Sequence, residues 1–408
     1  MEENFKFKGW TVLWSAVGIQ FVSGILYIWS IVGKALINQY HWTGTQASLP
    51  YTVATVMFVV AMVLGGRLQD LKGPRVCTTL GGIFLGIGLI LSGCVKLPLL
   101  MVLTFGVILG GGIGLNNVAT TASAVKWFPP EKKGLITGIV VAGVGFASVF
   151  YSPTVNYLTG ILGIARTFYL LGATVLVAAV FLAQYIADPP ERYKPKTNGS
   201  ALITAGQQAV TGNDLAWREL IKNGVFYKLW LMLTCASAAG LMLIGHLASI
   251  VKLQAGWEGG YLLVALLAVF NTLGRLLGGS FSDKIGRINL MRLAFFLQAI
   301  NLAFFGRMNS IATLTLGVIL AGLCYGATFA VFPPAIADYF GMKNFGANYG
   351  LIFTGWGIGG IIGPLTAGKI FDVTGNFQAA FMVAFCLLII AGIITFSFKS
   401  SNPVRFKF

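Results

Sequence analysis

The sequence predicts an all-α membrane protein of twelve transmembrane helices in two pseudo-symmetric six-helix bundles. Three observations carry this prediction. Twelve separate apolar runs are long enough to cross a bilayer, Lys and Arg favour alternate connections, and a glycine and aspartate pattern recurs after about 212 residues.

Of 408 residues, 56% are hydrophobic and only 10% charged, with a mean hydropathy of +0.82. A soluble domain carries about 25% charged residues and cannot absorb so much apolar surface without exposing large patches. The soluble class is therefore excluded. The 53 glycines fit the membrane class, because small residues let helices approach where lipid supplies no hydrophobic drive for association. A net charge of +16 in a soluble protein would point to nucleic acid. Here the basic residues sit in short loops, so no nucleic-acid partner is expected. The five cysteines, Cys77, Cys94, Cys235, Cys324 and Cys386, stand singly in apolar stretches without a CxxC pair. Neither a disulfide framework nor a metal site is supported, and no cofactor is expected.

About 20 apolar residues cross a hydrocarbon layer of about 30 Å. Such runs fall at about 10–34, 47–68, 76–95, 98–124, 134–160, 165–187, 226–252, 261–281, 289–307, 311–336, 346–370 and 377–398. The first exceeds the apolar core of a signal peptide and lacks a small-residue cleavage site, so it reads as a retained helix. Most connections are short. The exception, 188–222, holds Pro189, Pro190, Pro195 and a Gly/Ser/Thr/Gln-rich stretch, and reads as a linker between bundles at 1–187 and 223–408. Placing connections on alternate sides puts 21 of the 28 basic residues on the side of both termini and the linker. Six lie opposite: Lys34, Lys96, Arg166, Lys252, Arg307 and Lys369. This bias places both termini in the cytoplasm, with the cell inner (plasma) membrane as the expected location. The residue left over is Arg275.

The halves resemble each other. Gly134, Gly138, Gly143 and Gly145 recur as Gly346, Gly350, Gly355 and Gly357, and Trp127-Phe128 recurs as Tyr339-Phe340. Gly66-x-x-x-Asp70-x-x-Gly73 recurs as Gly279-x-x-x-Asp283-x-x-Gly286, followed by Arg75 and Arg287 respectively. Such repeats imply bundles that rock about a midplane site. In the repeated turn an aspartate is able to cap a helix start and pair with basic neighbours, which makes Asp70, Arg75, Asp283 and Arg287 candidate gate residues. The plainer alternative is a tight turn with surface ion pairs worth at most about 1 kcal/mol. On these loops and the central linker the chain resembles the major facilitator superfamily over nearly its whole length. The resemblance implies the fold of that family and alternating access.

Arg275 lies well inside the eighth run, where an arginine costs about 2.5–3.5 kcal/mol even on translocon scales. All twelve acids, Glu2, Glu3, Asp70, Glu131, Asp188, Glu191, Asp214, Glu219, Glu258, Asp283, Asp338 and Asp372, read as loop or terminal residues. A guanidinium donates two parallel hydrogen bonds to a carboxylate, so a small carboxylate substrate is the expected source of negative charge. The alternative is pairing with backbone carbonyls or snorkelling to the surface. Asn271, one turn before Arg275, is placed to orient the guanidinium. Asn116 and Asn117 in the fourth run are candidates for a substrate hydroxyl or keto oxygen, or for helix–helix hydrogen bonds. Tyr27, Tyr325, Phe329 and Trp356 are candidate cavity aromatics, Tyr325 and Phe329 sharing a face. Histidine is the side-chain type suited to a proton relay, which makes His246 a candidate for proton coupling, against a structural hydrogen bond. The clusters Gly110–Gly114 and Gly355–Gly360 lack the strand-to-helix context of phosphate loops and read as helix-packing notches.

Three segments narrow the resemblance: Asn271 to Arg287, Tyr325-Gly-Ala-Thr-Phe329-Ala-Val-Phe-Pro333, and Asn348-Tyr349-Gly350. Together they resemble the oxalate–formate antiporter and monocarboxylate transporter branch. The resemblance implies that Arg275 binds substrate carboxylate, that Tyr325 and Phe329 frame the site, and that Tyr27 contributes an aromatic. There are two departures. Where the oxalate carrier has a second cation, counting from Asn348, this sequence has Trp356, which disfavours dicarboxylates. Where animal monocarboxylate carriers have an aspartate and a first-helix lysine, it has Asn271 and a position near Ile31, so their proton relay does not carry over. The expectation is a monomeric secondary transporter of lactate- or pyruvate-like monocarboxylates, coupled to a proton or a counter-anion, and not an enzyme. The alternatives are an oxalate/formate-type antiporter and a membrane carboxylate sensor.

Overall fold

The computed structural model of the chain describes residues 2–190, 193 and 214–398, leaving aside the side chains of 2–7, 27, 30, 34, 44, 45, 148 and 152. Twelve helices among the described residues are long and apolar enough to cross a membrane, one for each apolar run. They are α1 (Lys8–Gly33), α2 (Gln46–Lys72), α3 (Pro74–Cys94), α4 (Pro98–Lys126), α5 (Pro130–Tyr151), α6 (Pro153–Ala183), α7 (Gly224–Ala255), α8 (Gly260–Ile285), α9 (Arg287–Phe305), α10 (Ile311–Phe340), α11 (Phe345–Thr374) and α12 (Gln378–Phe396). No strand occurs among the described residues. Helices satisfy their own backbone polar groups, which hydrocarbon requires.

The interruptions have local causes. Helical residues run from Lys133 to Ala183 through the boundary between α5 and α6, and the one non-helical residue in that run is Gly163, within α6, with φ 78° and ψ 169°. This is where the sequence separates its fifth and sixth runs. Gly73 (φ 85°) and Gly286 (φ 91°) close the repeated turns after α2 and α8, a conformation that only glycine adopts without strain. The spacing of the repeated motif therefore has a backbone cause. α1 tightens to a 3₁₀ turn at Gly24–Ile28, and α4 contains a π-helical stretch at Val102–Leu109.

One reading of the sequence needs correction. Asp70, Asp283, Asp338 and Asp372 do not lie in loops: each sits near the C-terminal end of a helix. The helices run on past the end of their apolar stretches, which a hydropathy boundary does not register. The expected linker falls largely on residues 191–192 and 194–213, outside the described residues. At its described end, Asp214 accepts from the Met342 and Lys343 amides, both at 3.1 Å.

The chain forms two compact units. The first comprises Met1–Phe128, Val140–Lys194 and Asn344–Leu351, and the second Pro129–Ile139, Pro195–Lys343 and Ile352–Phe408. The first unit uses the Gly110–Gly114 cluster as a packing notch. A Cβ at Gly110 would come 2.7 Å from the Ala54 Cα, and one at Gly112 would come 2.7 Å from the Gly81 carbonyl. In the second unit α8 and α10 meet through Gly274 and Gly278 on one side and Gly322 and Gly326 on the other. A Cβ on any of these would strike the facing backbone. That close crossing sets Asn271 and Arg275 directly against α10.

Candidate functional site

Arg275 is only 4% exposed and projects from the interior of α8. Its Nε donates to Asn271 Oδ1 at 3.0 Å, as residues four apart on a helix allow. An amide acceptor orients the guanidinium without altering its charge. The guanidinium carbon lies 4.8 Å from the centroid of the Phe329 ring, within cation–π range. Phe329 lies 6.2 Å from Tyr325 and meets Trp356 edge-on at 6.2 Å. Trp356 Nε1 donates to the Tyr325 hydroxyl at 2.9 Å. Asn271, Arg275, Tyr325, Phe329 and Trp356 thus form one contiguous cluster drawn from α8, α10 and α11. It presents a fixed positive charge beside an aromatic wall with polar edges.

The other singled-out residues divide. In the first unit Asn116 Nδ2 donates to Ser23 Oγ at 3.3 Å, and its side chain fills the space over Gly81 of α3. Asn117 Oδ1 instead accepts from the buried Tyr349 hydroxyl at 3.2 Å. Adjacent residues on a helix point about 100° apart, so the two asparagines do not act as a pair. Tyr27 lies in the 3₁₀ turn of α1, and its side chain is outside the described residues. His246 Nε2 lies 3.0 Å from the Pro364 carbonyl, and its ring lies 5.3 Å from Phe377.

The repeated aspartates cap helix starts. Asp283 accepts from the Gly134 and Leu135 amides at 2.9 and 2.8 Å, and from Arg287 Nη1 at 2.5 Å. Asp70 accepts from the Gly346 and Ala347 amides at 3.2 and 2.9 Å. Gly134 and Gly346 are equivalent in the repeat, so the caps are equivalent too. Helix N-termini favour negative charge. The basic partners differ: Arg75 is exposed and makes no ion pair among the described residues. Arg287 also bonds Asp338 at 3.1 Å, which accepts from Lys133 at 3.0 Å. Sequence spacing does not single out Asp338, which follows a long apolar run. Its one signal is an acid next to the repeated aromatic pair Tyr339-Phe340.

Loss of a capping side chain costs about 0.5–2 kcal/mol. Asp283→Ala is therefore expected to lower the melting temperature, and Asp283→Asn, which retains a cap acceptor, to lower it less. Thermal denaturation of the three proteins measures this. Equal melting temperatures would contradict the cap.

Twelve apolar helices among the described residues and a duplicated, aspartate-capped turn fit the class of membrane transporters. The family profile described as Major Facilitator Superfamily matches residues 12–306 and again 261–407. The chain belongs to that superfamily: it is a multi-pass membrane transporter and not an enzyme. Among its relatives, the uncharacterized MFS-type transporter YhjX of Escherichia coli (strain K12) is 28% identical over 362 residues, 88% of this chain and 87% of the relative. The oxalate:formate antiporter of Oxalobacter formigenes is 25% identical over 84% of this chain and 80% of its own length. Monocarboxylate transporter 13 of Rattus norvegicus is 24% identical over 93% and 86%. The solved proton:xylose symporter XylE superposes with a TM-score of 0.77 at 14% identity, covering 97% of this chain and 96% of that one. At that identity the likeness is one of fold.

Proposed function

We propose that this protein is a secondary active transporter of small monocarboxylates, lactate- or pyruvate-like, coupled to a proton or to a counter-anion. It works by alternating access in the cell inner membrane, as a monomer with both termini cytoplasmic, and the two aspartate-capped turns act as gate elements. The observation that carries the reading is Arg275, a permanent cation buried in a membrane span and oriented by Asn271 against the Phe329 ring. Arginine presents a planar fork that matches a carboxylate. One fixed positive charge and one substrate anion give a neutral loaded site, which crosses lipid more easily than a bare charge. Two of the relatives are named for anions of this kind. The oxalate:formate relative also supports a second reading, anion exchange of the oxalate/formate type.

A thermal-stability titration with small carboxylates, sugars and organic cations tests the class. A ligand at 100 times its Kd raises stability by about 2.7 kcal/mol, so stabilisation by monocarboxylates alone is the expected result. Stabilisation by sugars or cations instead would overturn it. For His246 the bond to Pro364 favours a structural part. His246→Ala is expected to keep the pH dependence of net uptake. A flattened profile with intact substrate exchange would assign it the proton relay.

A further inference from the structure

Gly240 lies midway along α7 and is buried. It faces the Tyr325 ring of α10. A Cβ at Gly240 would come 2.5 Å from Tyr325 Cε2, where carbons pack at about 3.5–4.0 Å. The ring has little room to yield, since its hydroxyl accepts from Trp356 Nε1 at 2.9 Å and its centroid lies 6.2 Å from that of Phe329. A second face of α7 receives α11. Gly355, Gly359 and Gly363 recur at every fourth residue and so share a face. A Cβ on them would strike the carbonyls of Trp230, Thr234 and Ala238 respectively. Trp356 directly follows Gly355 and points about 100° away from that row. α7 therefore seats both partners of the Tyr325–Trp356 hydrogen bond, one against Gly240 and the other through the glycines of α11. Glycine is a poorer helix former than alanine, so the reason for Gly240 lies outside α7 itself.

We infer that Gly240 is a positioning residue of the carboxylate site and acts through Tyr325. The inference rests on the carboxylate reading above. The bare Cα lets the Tyr325 ring lie against α7, where its hydroxyl meets the Trp356 indole. That bond joins the two side chains into one preformed wall beside Phe329 and Arg275. Side chains held in place before a ligand arrives spare the ordering cost of binding. A methyl group at position 240 pushes the ring off α7 and away from the indole, so the wall has to be ordered as the ligand binds. The loss is about the worth of one hydrogen bond, roughly tenfold in affinity.

The test is a double-mutant cycle over the natural protein, Gly240→Ala, Tyr325→Ala and the two together, reading lactate affinity and the Tm of each unliganded protein. Gly240→Ala is expected to weaken lactate about tenfold and to lower the Tm. With the ring removed, the added methyl has nothing to displace. In the Tyr325→Ala background the same substitution is expected to leave the affinity within about twofold. The Tm there holds or rises, alanine being the better helix former. Where lactate binding to Tyr325→Ala is too weak to follow, the Tm values complete the cycle. Equal losses in both backgrounds would overturn the inference and leave Gly240 a packing residue of α7. So would a natural lactate affinity in Gly240→Ala. If Gly240→Ala alone fails to fold, a folded double variant supports the inference and an unfolded one overturns it. If the natural protein binds neither lactate nor pyruvate, the carboxylate reading fails, and the Tm cycle still decides whether Gly240 seats the Tyr325 ring.

Discussion

Arg275→Ala, like Arg275→Gln, is expected to abolish saturable carboxylate binding while the protein remains folded in detergent. Losing one member of a desolvated, hydrogen-bonded charge pair costs roughly 2–5 kcal/mol, which is more than tenfold in affinity. The fold gives up less. The substitution removes the bond to Asn271 and the contact with Phe329, the latter worth about 0.5–2 kcal/mol. It also removes the standing cost of a cation in the membrane interior. Arg275→Lys is expected to rescue binding only in part, since an ammonium lacks the fork and the Nε that Asn271 holds. Equilibrium binding of labelled lactate to the three variants checks this. Unchanged affinity in Arg275→Ala would remove Arg275 from the site.

The second large effect concerns Trp356. Among the described residues Arg275 is the one buried lysine or arginine, so under the proposed function the site compensates a single carboxylate. A second carboxylate enters uncompensated, and burying such a charge lowers affinity by several orders of magnitude. Lactate is therefore expected to compete far better than oxalate in the natural protein. Trp356 joins the same cluster through Tyr325 and Phe329. Trp356→Lys places a second cation there and removes the indole. The variant is expected to weaken for lactate, whose binding leaves the ammonium unmatched, and to strengthen for oxalate. Competition of both anions against one tracer measures the ranking. A natural preference for oxalate would contradict the one-cation argument, and an unmoved ranking in the variant would take Trp356 out of the site.

The sequence shows most of the fold and less of the site. Twelve spans are visible because each apolar run exceeds what any other environment tolerates. The helix ends are not, since Asp283 and Asp338 continue helices beyond their apolar stretches. The cluster around Arg275 is partly visible. Asn271 and Phe329 are each four residues from another member, and helical spacing puts such pairs on one face. The Trp356–Tyr325 hydrogen bond joins residues 31 apart on different helices, and no local period encodes it. Asn116 and Asn117 look equivalent in a string, but their directions diverge once the helix is drawn. The capped helix starts are likewise not encoded locally. The Gly-Asp-Gly spacing announces a turn, but the amides of Gly134 and Gly346 that receive the aspartates lie far away in the chain.

The most direct test of the central claim is counterflow of labelled lactate into proteoliposomes preloaded with unlabelled lactate, with Arg275→Ala as the control. A carrier of monocarboxylates accumulates label transiently and saturably, unlabelled lactate outside competes for it, and the Arg275→Ala liposomes behave like protein-free ones. If lactate binds the natural protein but label enters no faster than into protein-free liposomes, the protein senses carboxylates without carrying them. If label enters equally well through Arg275→Ala, substrate recognition does not rest on the buried arginine.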